Sequence, residues 1–289
     1  MPTVAESPAE RRPNPFRGRT NVVVALVVGA VWSAWQLDLR LVDLIPSQHG
    51  LDVCLEFLSR ALTPALSSEA EFVPANAPPF LVTVLEAAVT TVAFAAAAMG
   101  VAVVAGLVLG FLASTAWWSC VFPRGSALAH VSFGLARTVI ALMRSVHELL
   151  WALLLVVAFG ASEIAAVLAL SIPTAGTLAK IYSELIDESP RDAAFALQAA
   201  GGTARHVFCF GLLPRALPDM IAYSFYRFEC ALRASAVLGF FGYGTLGLHL
   251  YQSFVSSNYG EVWTLLYALF AVVIGFDLWS GAIRRRLIG

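Results

Sequence analysis

Residues 196–218 read ALQAAGGTARHVFCFGLLPRALP, a segment out of place in a chain so rich in apolar side chains. It combines small residues, a double glycine, spaced positive charge and two prolines four apart. Just upstream, Ala193, Ala194, Leu197 and Ala200 fall at i, i+1, i+4 and i+7, which predicts a short helix with a smooth stripe of small residues. Gly201 and Gly202 then stop that helix, because glycine takes the left-handed conformation a helix end requires. Pro214 and Pro218 follow where the chain turns into its next helix, and proline suits a first helical turn. A compact helix with a small-residue face and few bulky apolar anchors is shaped for a groove in another protein. Spacing alone also admits a simple interfacial loop.

The chain around this segment belongs in a bilayer. It has 289 residues, 59% hydrophobic and 13% charged, with a mean hydropathy of +0.77. A soluble domain carries about 25% charged residues. A helical span needs about 20 apolar residues and the bilayer forbids lipid-exposed irregular backbone, so the expectation is an all-α membrane protein. Apolar windows predict six spans, at 21–41, 80–112, 137–159, 161–182, 216–240 and 261–282. An even number puts both termini on one side. Arg11, Arg12, Arg17 and Arg19 precede the first span and Arg284, Arg285 and Arg286 end the last, so the positive-inside rule places both termini in the cytoplasm of a multi-pass protein.

The loops agree with that orientation. Residues 42–79 carry Asp43, Asp52, Glu56, Glu69 and Glu71 against Arg60 and are expected outside, whereas Arg124, Arg137, Arg191, Arg205 and Arg215 are expected inside. The domain reading is a cytoplasmic tail over 1–20, a first span plus an outer interfacial segment over 21–79, and a transmembrane domain over 80–289. The outer stretch LDVCLEFLSRAL has helical spacing and reads as a surface-lying helix. Gly106 and Gly110 form a GxxxG pair suited to close helix packing. The cysteines Cys54, Cys120, Cys209 and Cys230 show no metal-ligand spacing and read as free thiols.

With those residues in view, the segment resembles the signature of ABC-importer permeases, a glycine followed thirteen positions later by the proline of a Leu-Pro pair, matched by Gly201 and Leu213-Pro214. The glutamate that precedes this glycine in the family is replaced by Phe195, and the nearest acid is Asp192. RSVHELLWALLLVVAFG (144–160), AAVLALSIPTAGTLAKIYSELID (165–187) and RASAVLGFFGYGTLG (233–247) extend the resemblance, in order, to the phosphonate-type permeases of the PhnE family. The resemblance implies a type I, MetI-like permease core with one extra N-terminal span, in the cytoplasmic (inner) membrane. It further implies a homodimer or heterodimer forming the pore, two ATP-binding subunits docked on coupling segment 190–214, and a periplasmic or lipid-anchored binding protein. The cargo it implies is a phosphonate or related phosphorus oxyanion. On this reading Asp192, Ala193, Ala194, Leu197, Ala200, Gly201, Gly202, Leu213 and Pro214 form the coupling contact.

No catalytic constellation, metal site or nucleic-acid surface stands out. Lys180 is the only lysine and follows Ala179, so the nucleotide loop GxxxxGK[ST] cannot form, and ATP and Mg belong on a partner subunit. The chain reads as a transport subunit, not an enzyme, binding no cofactor of its own. GYGTLG (242–247) formally matches GxGxxG but follows a membrane helix, so Gly242, Gly244 and Gly247 are expected to permit a bend and close packing at an outer gate. Charges inside spans are costly and tend to face the bundle interior or a water-filled path. Arg144 and Glu148 are four apart, as are Glu229 and Arg233, which suits helical ion pairs; Arg227 adds a positive charge. These five residues are the candidate substrate path, or else structural pairs that set helix register. The alternative function is an ion-coupled carrier that works without an ATPase, which calls for inverted repeats and discontinuous helices.

Overall fold

A computed structural model describes residues 15–39, 46–70, 77–121 and 127–288. The expectations resting on Arg11, Arg12, Asp43, Glu71 and Arg124 lie outside the described residues. Those residues form helices and short turns, with no strand among them. They divide into two compact units, one up to Glu56 and one from Phe57 onward.

In the first unit, α1 (Pro15–Gln36) presents Val24, Leu26, Val28 and Val31 all exposed, as suits a helix surrounded by lipid. It stops short of the predicted end at residue 41. Leu39 N–H donates to the Ala34 carbonyl at 3.0 Å and Asp38 adopts φ 49°, so the chain leaves the helix there. Helix α2 (Gln48–Arg60) begins after Ser47, whose Oγ accepts from Gly50 N–H at 3.1 Å. This is the capping arrangement that starts an amphipathic helix, and the stretch expected to be helical is a helix.

The second unit is built on α3 (Phe80–Ala113) and α7 (Glu163–Glu188). With α12 (Tyr259–Ile288) they are, among the described residues, the helices long and apolar enough to cross a bilayer by themselves. The predicted span 137–159 is not one rod. It is α5 (Ala127–Ser145) followed by α6 (Glu148–Phe159), meeting at a 93° bend. The cause is local: His147 takes an extended conformation and its ring accepts from Leu149 N–H, so it starts a new helix instead of continuing the old one.

The connection after α7 holds α8 (Asp192–Ala199), α9 (Ala204–His206) and a π-helical turn over Val207–Leu212. Helix α10 (Leu213–Val237) is 25 residues long, with Pro214 in its first turn as expected and Pro218 inside it. Its internal charges Asp219, Arg227, Glu229 and Arg233 make it amphipathic rather than uniformly apolar. A 3-10 turn (Leu238–Phe241) and α11 (Leu246–Val255) lead to α12. A short α4 (Thr115–Val121) follows α3.

Small residues let α3 and α7 touch along their backbones. A Cβ on Gly106 would stand 2.9 Å from the Leu178 Cβ, and one on Gly110 would stand 3.2 Å from the Ala179 carbonyl oxygen. The GxxxG pair is thus a packing device, as expected. Helix α5 meets α7 in the same way, through Gly176 against Met143. Thr91, wholly buried on α3, accepts from Leu246 N–H at 3.0 Å, and its carbonyl accepts from Ser235 Oγ at 2.9 Å. One buried threonine therefore ties α3, α10 and α11 together, and an unmet polar group there would be costly.

Candidate functional site

Three of the five charged residues predicted for the path, Glu148, Arg227 and Arg233, line a cavity of about 390 Å³ between α6, α7 and α10, and Arg144 and Glu229 do not. Arg227, Cys230, Ala231 and Ala234 line it at i, i+3, i+4 and i+7, one stripe of α10. Arg233 joins them, Glu148 enters from the first turn of α6, and Thr174 from α7. Arg233 Nη2 lies 3.3 Å from Glu229 Oε1, the ion pair the spacing predicted, and donates weakly to Cys230 Sγ at 3.7 Å. Arg227 Nε is buried without a hydrogen-bond partner. A donor left in that state costs free energy unless something supplies an acceptor.

The other predicted pair does not form. Arg144 closes α5 and Glu148 opens α6, so the bend removes the shared helix face on which i and i+4 meet. Arg144 is not on the cavity wall. It lies within electrostatic reach of Tyr223, as does Arg227. Sequence reasoning passed over Thr174 and Cys230. The spacing of Cys230, three residues from both Arg227 and Arg233, was the available signal for the latter.

A second region surrounds the segment quoted at the start. The end of α8 is as predicted: Gly202 N–H donates to the Leu197 carbonyl at 2.9 Å, and Gly201 has φ 83°. The small stripe is not all free surface, however. Ala194 is buried and a Cβ on Gly211 would stand 2.9 Å from its Cα, so the π-helical turn occupies that side of α8. Leu197 is half-buried, whereas Asp192 and Ala200 are exposed. Leu213 is half-buried and Pro214 exposed at the start of α10. Phe195, which replaces the family's glutamate, is 62% exposed.

Beneath α8, Phe208 is fully buried and meets Trp117 edge-on at 4.8 Å and Phe111 at 5.7 Å. Asp187, at the end of α7, accepts from Ser114 Oγ at 2.7 Å, Thr115 N–H at 3.0 Å and Ala116 N–H at 2.9 Å. Its carboxylate caps α4, where the helix dipole favours negative charge. The ends of α3 and α7, α4 and the π-helical turn thus form one seat for α8. Neither Asp187 nor Phe208 was visible as functional in the sequence, because their partners are far away along the chain.

The glycine-rich turn divides its labour. Gly242 has φ 86° and makes the bend, while a Cβ on Gly247 would overlap the Ala236 carbonyl. Gly244 is exposed and lies in the bend, but a Cβ there would meet nothing, which corrects its expected part in close packing. Gly239, which was not singled out, does pack closely: a Cβ there would overlap the Gly247–Leu248 backbone. Tyr243 Oη donates to the Ser162 carbonyl at 2.9 Å and holds the turn against the start of α7.

At the same end, buried Glu261 accepts from Ser68 Oγ at 2.8 Å, Glu69 N–H at 2.6 Å and Ser253 Oγ at 2.7 Å. It borders a cavity of about 600 Å³ that His249, Gln252 and Asn258 also line. Burial pushes the His249 imidazole below its ordinary value, and the Glu261 carboxylate partly opposes this. Among the described residues no group of three His, Cys, Asp or Glu side chains gathers in a way that would hold a metal ion.

Comparison with known proteins joins these observations. Residues 106–289 match the family of binding-protein-dependent transport system inner membrane components. The phosphite transport system permease protein PtxC of Stutzerimonas stutzeri is 31% identical over 288 residues, covering 96% of this chain and 95% of PtxC. HtxE of the same organism, provisionally named a phosphite transport system permease protein, is 37% identical over 171 residues, covering 59% of this chain and 66% of HtxE. The fold matches an inward-facing MetNI methionine ABC transporter, with TM-score 0.63 and 21% identity over 73% of this chain and 99% of that one. The ion-coupled alternative is thereby set aside. With its α3–α7 core and its apolar helices, the chain belongs to the inner-membrane components of binding-protein-dependent transport systems, as a multi-pass permease subunit of an ABC importer and not an enzyme.

Proposed function

We propose that this permease imports a phosphorus oxyanion, phosphonate or a relative such as phosphite or phosphate, by alternating access driven from a partner ATPase. The names of PtxC and HtxE support the cargo. The observation that carries the reading is the cavity that Arg227, Arg233 and Glu148 line together, with no acceptor on the buried Arg227 Nε. A guanidinium suits a tetrahedral oxyanion, whose oxygens accept from its fork of donors.

A second copy of the chain covers this open, charged face and doubles the arginines along the path. Two ATP-binding subunits hold ATP and Mg and engage α8, whose exposed surface includes Asp192, Phe195 and Ala200. Their closure moves α8, and its seat under Phe208 passes the motion to α3 and α7. The termini lie in the cytoplasm, which places the turn around Gly242 outside, where it acts as an outer gate. A periplasmic or lipid-anchored binding protein delivers the anion at that side.

The test is co-expression with candidate ATPase and binding-protein partners, followed by purification and measurement of phosphite-stimulated ATP hydrolysis. Arg227→Gln is expected to leave the complex assembled and to lower the stimulation about tenfold, the equivalent of one charge-assisted hydrogen bond. Undiminished stimulation in the assembled variant would overturn the role of the cavity.

A further inference from the structure

The same cavity holds a carboxylate, and we infer that Glu148 makes it selective for oxyanions that carry a hydroxyl group, accepting phosphite, phosphate or phosphonate and rejecting sulfate. The inference rests on reading the cavity as the oxyanion path. Glu148 stands at the start of α6, half-buried, and among the described residues no protein donor or cation engages its side chain. Arg233 is already engaged by Glu229, whereas Arg227 Nε has no acceptor. Among the described residues, the walls thus offer on α10 the Arg227 guanidinium, which no protein acceptor engages, and on α6 the Glu148 carboxylate, which no protein donor engages. Thr174, from α7, both donates and accepts through its hydroxyl and so discriminates against neither kind of ligand.

An ionised carboxylate accepts hydrogen bonds and donates none. An anion without a proton would place its lone pairs against those of Glu148 and leave both unpaired in a partly dry cavity. An anion bearing a P–OH group gives that hydrogen to Glu148 while its charged oxygens accept from Arg227. Near neutral pH phosphite, phosphate and phosphonates carry such a hydroxyl in their monoanionic forms, and sulfate does not. The carboxylate that repels anions in general therefore admits this class. Specificity comes from an acceptor that the wrong ligand cannot satisfy.

Cys230 lines the same cavity and is a built-in reporter. In the assembled transporter, with Cys54, Cys120 and Cys209 replaced by serine, labelling of Cys230 by a charged methanethiosulfonate reagent is followed against added phosphite or sulfate. Phosphite is expected to slow labelling at concentrations roughly ten- to hundredfold below those of sulfate. Glu148→Gln should close most of that gap, because an amide can donate to sulfate, and Glu148→Asp should preserve it. Equal protection by the two anions in the parent, or an undiminished gap in Glu148→Gln, would refute the role of Glu148 while leaving the oxyanion path standing. If the reagent reaches Cys230 and neither anion slows it, the oxyanion reading itself falls, and this inference with it.

Discussion

Gly211 lies beneath Ala194 so closely that a Cβ on it would stand 2.9 Å from the Ala194 Cα and 3.2 Å from its backbone nitrogen. The contact fixes the height of α8 over the π-helical turn. Any side chain at 211 must lift α8 or distort the turn, and overpacking of this kind costs about 1–3 kcal/mol. Gly211→Val should still reach the membrane, because it leaves the close α3–α7 contacts at Gly106 and Gly110 untouched. Its uptake should fall about tenfold if α8 receives the stroke of the ATPase. Uptake and membrane abundance measured together check this, and normal uptake by Gly211→Val would argue against transmission through the seat.

Asp187 bridges 73 residues to Ser114 and caps α4 with three hydrogen bonds. Removing a capping side chain costs about 0.5–2 kcal/mol. Asp187→Ala is expected near the upper end, since it also frees two buried donors. Its Tm in detergent should fall by a few degrees, about 2–4 °C for each kcal/mol in a chain of this size. Asp187→Asn keeps one acceptor oxygen and should recover part of the loss. Equal Tm values for the parent and both variants would show that α4 needs no cap.

His249 gives the end near Glu261 a pH dependence. Its pKa is lowered from 6.5, mainly by burial. The folded protein therefore resists a proton that the unfolded chain accepts near pH 6.5, and stability that is complete above that value is lost as pH falls toward the folded value. Thermal unfolding followed from pH 7.5 to 5 should show this decline. His249→Gln should flatten it without lowering stability at pH 7.5 by more than about 1 kcal/mol. A variant with the parent's full pH slope would assign the effect to other groups.

Family membership is carried in linear motifs, and so are the helix stop at Gly201, the GxxxG contact of α3 and the Glu229–Arg233 pair. Each of these is a local matter: glycine's backbone freedom, the 3.6-residue helical period and a hydropathy that demands internal hydrogen bonding all act within a few residues. The sequence by itself therefore determined where the long apolar helices of α3, α7 and α12 run and that Glu229 and Arg233 share a face of α10. The tertiary structure alone decided what depends on distant partners. His147 turns the chain by 93° and separates Arg144 from Glu148, Asp187 finds its donors on α4, and Gly239 meets Gly247. Such contacts are selected by packing between helices that no single stretch encodes, and that is also why one carboxylate and one unpartnered guanidinium, 79 positions apart in the chain, line the same cavity.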